Sequence, residues 1–154
     1  MVSKNIENNI RQAAKIMTTG DFSSYDQIMA EDATYRTGLG DKFQGLEDLK
    51  KLRELYADAF DDFTIEPQHI FGEGNRAVVI YKQSGTHVGE FMGIEASHNR
   101  WEQLGCNIVT LDDDGKLVDV FDIFDNLELL KQLDAVPKEM SELVGGVTGT
   151  RPGA

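Results

Sequence analysis

The sequence predicts an α+β fold in which N-terminal helices cover the concave face of a strongly curved antiparallel sheet. Apolar residues recur at helical spacing through the first part of the chain, up to about residue 60. From Phe63 onward the apolar period changes to two, which is typical of strands. Two glycine-containing junctions, 72–75 and 112–115, then join strand-like segments as hairpins. Helices followed by such a meander give the α+β layout.

The first part of the chain contains three predicted helices. They cover residues 4–19, a short segment capped by Asp21, and residues 46–60. Between the last two helices, residues 32–37 are expected to be extended and residues 38–45 to form a loop punctuated by glycines. That loop lacks the spacing of a phosphate-binding loop, so no nucleotide cofactor is expected there.

The second part contains four predicted strands and one helix. The strands cover residues 64–71, 76–89, 101–111 and 116–124. The helix covers 127–133, and Asp125 stands at its N-cap. After Pro137 the chain becomes polar and then rich in glycine. We therefore predict one domain over residues 1–136 and a tail over 137–154, flexible unless a neighbouring subunit holds it.

Composition narrows the classes of function. The chain has 154 residues, 15 basic and 27 acidic, with a net charge of −12, and its basic residues are dispersed. We therefore expect no nucleic acid and no membrane as partners. No segment reads as a secretory signal or membrane span, so a soluble, cytoplasmic protein is expected. With Cys106 as the single cysteine and three histidines without ligand spacing, we expect no metal and no cofactor.

The candidate site centres on Asp122. Side chains alternate along a strand, so Asp122 shares a face with Val118, Val120 and Phe124 and is the only acid in that row. Burial raises the pKa of an unpaired carboxyl group, which suits such a group to general acid/base catalysis. The alternative is a structural acid that is bonded to a backbone amide or to an arginine.

The preceding strand supplies the predicted neighbours of Asp122. The length of the hairpin loop places Gly105 opposite Asp122 and Asn107 opposite Val120. Gly105 would then form the floor of a cavity, and Asn107 would act beside it as a neutral hydrogen-bonding partner. A bulge or a bend of the sheet is the alternative role of Gly105.

Further residues are predicted to bind substrate. Trp101 would add an aromatic wall, and Val120 and Phe124 flank Asp122 in its own row. Tyr81 shares a strand face with His87, which ends that strand in the segment GTHVGEFMGI and could reach the cavity mouth. The alternatives are a core position for Trp101 and a surface or hydrogen-bonded position for His87.

Three segments together resemble a known family. They are YADAFDDFTIE, GTHVGEFMGI and DDDGKLVDVFDIFDNLELLKQL, and over about residues 5–135 the chain is similar to the SnoaL-like polyketide cyclases of the nuclear transport factor 2-like superfamily. The resemblance implies a cone-shaped α+β barrel around an apolar pocket. It also implies a cofactor-free intramolecular aldol closure of an aromatic polyketide ester, with Asp122 as acid/base. Where the family cyclase has a histidine, this chain has Asn107, which cannot relay a proton.

Three functional hypotheses follow. The first is a small-molecule cyclase or lyase in which Asp122 is the general acid/base and Asn107 steadies an oxygen of an apolar or aromatic substrate. The second resembles the limonene-epoxide hydrolases, with Asp122 activating water, although no arginine is evident in the preceding strand. The third is a binding module for an apolar ligand or for a dimer partner. A homodimer is expected, because the strand-like segments are apolar on both faces.

Overall fold

The computed structural model describes residues 1–143 and shows helices packed on one face of a six-stranded curved sheet. The predicted mixed α+β class is confirmed, although the sheet does not close into a complete barrel. The helices are α1 (Lys4–Thr19), α2 (Tyr25–Ile28), α3 (Gly45–Ala59), α4 (Asn126–Gln132) and α5 (Lys138–Leu143). The strands are β1 (Met29–Thr37), β2 (Lys42–Gln44), β3 (Phe60–Glu73), β4 (Arg76–His87), β5 (Arg100–Leu111) and β6 (Leu117–Phe124).

Helices α1 and α3 form where the apolar spacing predicts them. Ser3 caps α1 by accepting a hydrogen bond from the amide of Ile6, and Gly20 ends the helix at a positive φ of 75°, which favours glycine. Helix α3 begins and ends one residue earlier than predicted and buries Leu49 and Leu52 against the sheet. Both helices thus turn an apolar stripe toward the strands.

The strand order is β2-β1-β6-β5-β4-β3. The hairpins β3–β4 and β5–β6 form as predicted, while β2 lies inside the segment predicted as a loop. Strand β1 pairs in parallel with β6, which the periodicity of the sequence did not indicate. This pairing makes the sheet mixed rather than purely antiparallel, and it places Tyr35 beside Val120.

Two buried apolar clusters hold the layers together. The larger one lies between α1, α3 and the sheet and includes Ile10, Leu49, Val79 and Val109. The smaller one packs α4 against one end of the sheet. Its members are Ala59, Phe60, Phe63, Trp101, Leu129 and Leu133. Trp101 is 1% exposed and is therefore part of the core.

The C-terminal part begins as predicted and then differs. Asp125 caps α4, because its carboxylate accepts a hydrogen bond of 2.9 Å from the amide of Glu128. Helix α5 occupies the start of the segment predicted as a tail. Residues 144–154 lie outside the described residues, so the flexible tail there stays a prediction. Within residues 1–143, no helix combines the length and apolar character needed to cross a membrane.

Candidate active site

The register between β5 and β6 decides which residue faces Asp122, and it differs by two residues from the predicted one. Asn107 pairs with Asp122, whereas Gly105 pairs with Phe124. The predictions that Gly105 opposes Asp122 and that Asn107 opposes Val120 were wrong, because an irregularity near the hairpin loop shifts the pairing. A shift of two preserves side-chain alternation, so Asn107 stays on the same face as Asp122.

Asp122 is 3% exposed, and its carboxylate accepts three side-chain hydrogen bonds. Its Oδ1 accepts one from the hydroxyl of Tyr81 at 2.5 Å and one from Nδ2 of Asn107 at 2.7 Å. Its Oδ2 accepts a single bond, from the hydroxyl of Tyr35 on β1. The two oxygens therefore differ, since two donors hold Oδ1 and one holds Oδ2.

The environment raises the pKa of Asp122 above its usual value. Burial causes the rise, and the hydrogen bonds from Tyr35, Tyr81 and Asn107 oppose it. The pKa values of Tyr35 and Tyr81 are also raised, first by burial and then by the negative charge of Asp122. Both tyrosines therefore remain protonated donors over the pH range in which Asp122 exchanges its proton.

Tyr81 reaches Asp122 across β5 because Gly105 has no side chain. Tyr81 on β4 pairs directly with Gly105 on β5, and a Cβ atom on Gly105 would overlap the phenol of Tyr81. Nε2 of Gln83 donates to the Tyr81 hydroxyl at 3.4 Å, which leaves the phenol proton directed at Asp122. Gly105 thus provides the space for the Tyr81 ring and lies behind it, so it does not form an open floor.

Asp122 borders a cavity of about 90 Å³ between α1, α3 and the inward face of the sheet. Most of its wall is aliphatic or aromatic. The polar side chains in the wall are Tyr35, Tyr56, Tyr81, Gln83, Asn107 and Asp122. Among the lining residues that the structure describes there is no lysine, arginine or histidine. Asp122 is therefore the one charged group that a ligand in this cavity would meet.

The structure separates the sequence-predicted site residues into two groups. Four of them line the cavity, namely Asp122, Asn107, Tyr81 and Val120. The other four, His87, Trp101, Gly105 and Phe124, do not belong to its lining. Gly105 lies behind Tyr81, and Trp101 is a core residue of the smaller apolar cluster.

His87 is fully buried and does not line the cavity. The expectation that it reaches the cavity mouth was wrong. Its Nδ1 accepts a hydrogen bond of 3.1 Å from the amide of Ser97, and its ring packs against Phe60 with centroids 5.6 Å apart. The expectation failed because the strand ends at His87 and the following loop folds back over the ring, hiding it from solvent.

Two tyrosines of the cavity were not among the predicted site residues. Tyr35 lies in a segment recognised only as extended, and the parallel pairing of β1 with β6 brings it to Asp122. Tyr56 belongs to the apolar stripe of α3, where a hydroxyl group among leucines was the only available signal. Neither contact is local in sequence, so spacing could not reveal it.

This open curved sheet, with helices enclosing an apolar cavity, is the fold of nuclear transport factor 2-like proteins. The model of the SnoaL-like polyketide cyclase family matches residues 8–133. The chain belongs to that family, which confirms the resemblance seen in the sequence. No functionally curated protein matches the chain.

Several solved structures share the fold. TsrD from Streptomyces laurentii is 22% identical with a TM-score of 0.77, covering 88% of this chain and 100% of its own. IdmH from Streptomyces antibioticus, a candidate polyketide cyclase, is 25% identical with a TM-score of 0.70, covering 84% and 98%. AclR from Streptomyces galilaeus, a candidate hydroxylase, is 23% identical with a TM-score of 0.71, covering 86% and 97%. Because these proteins carry different activity assignments, the fold alone does not define a reaction.

Proposed function

We propose that this protein is a cofactor-independent cyclase or lyase for a small apolar carbonyl compound, with Asp122 as general acid/base. The observation that carries the proposal is one buried carboxyl group on the wall of an otherwise apolar cavity. A raised pKa makes the Asp122 carboxylate a stronger base, so its pKa lies closer to that of the substrate C–H group from which it must remove a proton. Membership of the SnoaL-like family supports an intramolecular aldol closure of a polyketide ester as the reaction.

In the proposed reaction Asp122 removes a proton from the carbon next to a substrate carbonyl. The resulting enolate carbon bonds to the carbon of a second carbonyl group, whose oxygen becomes an alkoxide. That oxygen then takes the proton back from Asp122, so the product is an isomer of the substrate and no oxidant or reductant is consumed. The apolar walls keep water away from the enolate.

Oδ2 is the oxygen of Asp122 that we assign to proton transfer. Only the Tyr35 hydroxyl bonds to it. Freeing Oδ2 costs one hydrogen bond, about 1.5–3 kcal/mol for a charged acceptor, whereas freeing Oδ1 costs two. Tyr81 and Asn107 hold Oδ1 and thereby fix the direction of Oδ2.

Asn107 holds the carboxylate in this proposal and does not relay protons. Its amide donates to Oδ1, and an amide is too weak an acid and too weak a base to carry a proton between groups at ordinary pH. The proton therefore passes directly between Asp122 and the substrate. This differs from a site with histidine at the same place, which could carry the proton in a separate step.

The lining favours a neutral substrate. The described wall contains no cation that could pair with an anionic group of a substrate, and the carboxylate of Asp122 would repel such a group. A free carboxylic acid would lose its hydration on entry without gaining a counter-ion. An ester or a ketone matches the cavity better, in agreement with the expected apolar or aromatic substrate.

A binding module is the second candidate, because three donors already satisfy Asp122. In that case Asp122 is a structural acid and the cavity holds an apolar ligand unchanged. An epoxide hydrolase-like site has less support, because the described lining lacks the arginine that such a site uses.

The Asp122→Asn variant separates these candidates. A linear aromatic β-keto ester is incubated with the protein in heavy water, and ring closure and α-proton exchange are followed by NMR. For a general base, both rates fall by roughly 10² to 10⁴ while the fold is retained. For a structural acid, the main effect is a loss of about 3–5 kcal/mol in stability. Unchanged rates in the variant would remove Asp122 from the mechanism.

We also propose that the protein is a homodimer joined through the outer face of its sheet. Eight residues in two cross-strand rows of β3–β6 on that face are uncharged, although the chain as a whole has a net charge of −12. Arg36 on β1 ends the first row, with its guanidinium 4.9 Å from the centre of the Phe121 ring. We call these eight residues the outer strip: Phe71, Val78, Ile108 and Phe121 in one row, and His69, Ile80, Cys106 and Ile123 in the next. Phe71 is 60% exposed and Ile123 45%, so the strip offers apolar area to a second copy.

The cytoplasmic location stays a prediction.

A further inference from the structure

Tyr56 enters the cavity from the helix layer, whereas Asp122 enters it from the sheet. It lies on α3, and its ring packs against the rings of Phe63, Phe91 and Phe60, with centroids 4.8, 5.8 and 6.0 Å away. These contacts fix the plane of the phenol, because three aromatic neighbours surround it. The residue therefore holds its hydroxyl group at a defined place in the cavity wall.

The hydroxyl group of Tyr56 differs from the other hydroxyl groups of the cavity. Those of Tyr35 and Tyr81 both donate to Asp122. Within residues 1–143, the hydroxyl group of Tyr56 makes no hydrogen bond, although it lies in a lining that is otherwise largely apolar. A hydroxyl group without a protein partner on the wall of a cavity can donate its hydrogen bond to a bound ligand.

We propose that the hydroxyl group of Tyr56 donates a hydrogen bond to the substrate carbonyl oxygen and thereby presents the neighbouring carbon to Asp122. The inference rests on the proposed function for the proton-transfer step, and it adds the residue that would hold the substrate. Its geometric basis is an unpaired donor in a fixed ring that shares one small cavity with the base.

The electrostatics agree with a donor that keeps its proton. Burial raises the pKa of Tyr56, and the negative charge of Asp122 raises it further. Both residues line the same cavity, so the charge of Asp122 acts on the Tyr56 hydroxyl group. Tyr56 is thus a neutral hydrogen-bond donor whenever Asp122 is ionised and able to act as a base.

Tyr56 would have its main effect as charge moves during the reaction. When Asp122 takes the α-proton, the electron pair of the broken C–H bond shifts into the enolate, and negative charge develops on the carbonyl oxygen. The Tyr56 hydroxyl group stabilises that oxygen and retains its own proton. When the enolate carbon forms the new carbon–carbon bond, the carbonyl group is restored and the hydrogen bond weakens again.

The experiment compares two probes of nearly equal shape, cyclopentanone and methylenecyclopentane, which differ in having C=O or C=CH₂. Their dissociation constants are measured for the wild-type protein and for Tyr56→Phe, which keeps the ring and removes only the hydroxyl group. We expect the wild type to prefer the ketone by roughly threefold to tenfold and Tyr56→Phe to lose that preference. Its melting temperature should stay near the wild-type value, because the hydroxyl group makes no bond within residues 1–143.

Tyr25→Phe is the matched control. The hydroxyl group of Tyr25 bonds to the carbonyl oxygen of Ala30, away from the cavity lining, so this variant should keep the ketone preference. A second measurement uses the carbonyl stretching frequency of bound cyclopentanone. It should lie lower in the wild type than in Tyr56→Phe, because a hydrogen bond weakens the C=O bond.

The outcomes distinguish this inference from the proposed function. A ketone preference that persists in Tyr56→Phe, or that is absent from the wild type, overturns the role of Tyr56. An unshifted carbonyl frequency in the wild-type complex does the same, and it needs no variant. The base is tested separately, because Asp122→Asn should lose turnover yet keep a hydrogen bond from Tyr56 to the bound ketone.

Discussion

Replacing Gly105 by alanine tests how β5 positions the carboxyl group of Asp122. The added Cβ overlaps the phenol of Tyr81, whose ring crosses β5 at this glycine. The backbone of β5 is held on both sides by β4 and β6, so the Tyr81 ring must move instead. The variant therefore loses the 2.5 Å hydrogen bond from Tyr81 to Asp122.

The magnitude follows from the groups that lose their partners. A hydrogen bond to a charged group contributes about 1.5–3 kcal/mol, and a buried hydroxyl left without a partner costs about 1–3 kcal/mol. We expect Gly105→Ala to lower the free energy of unfolding by roughly 2–4 kcal/mol. In a domain of this size that corresponds to a melting temperature lower by about 5–15 °C. The pKa of Asp122 should rise further, because one bond that lowers it is gone.

Urea denaturation and NMR titration of the Asp122 carboxyl carbon measure these two effects. Tyr81→Phe is the first control, since it removes the same hydrogen bond without the steric overlap and should cost less stability. In a Tyr81→Leu background, Gly105→Ala should have little further effect, because the side chain that it displaces is absent. An equal cost of Gly105→Ala in both backgrounds would contradict the proposed coupling between Gly105 and Tyr81.

Two further predictions concern pH and assembly. Folding raises the pKa of Asp122 above its ordinary 3.8, so the stability that this group contributes is fully present below pH 3.8 and is lost as the pH rises through the pKa of the folded state. The free energy of unfolding from urea titrations should therefore fall over this pH range in the wild type and not in Asp122→Asn. Parallel pH dependences of the two proteins would contradict the raised pKa. Ile108→Lys places a charge in the outer strip and should give monomers in light scattering, whereas Leu55→Lys on α3 should leave the dimer intact. A wild-type monomer, or a dimeric Ile108→Lys variant, would contradict the proposed interface.

The sequence by itself determined the local structure and the main chemical feature of the site. Helix α1 has the predicted bounds because its apolar period and Gly20 are local signals. Asp122 was recognisable because alternation along one strand shows that a single acid shares an apolar face. Asp125 was recognisable as a cap from its position before a helix. Each of these inferences depends on residues within one or two turns or strand repeats.

Only the tertiary structure decided which side chains meet Asp122. The irregularity in β5–β6 pairing brought Asn107 opposite Asp122 and moved Gly105 away, and loop length did not reveal it. The parallel pairing of β1 with β6 brought Tyr35 to Oδ2 from 87 residues away along the chain. The packing of α3 placed Tyr56 in the wall of the same cavity. Periodicity specifies the face on which a residue lies, but the partner across that face depends on the register and packing of distant segments, which no local pattern encodes.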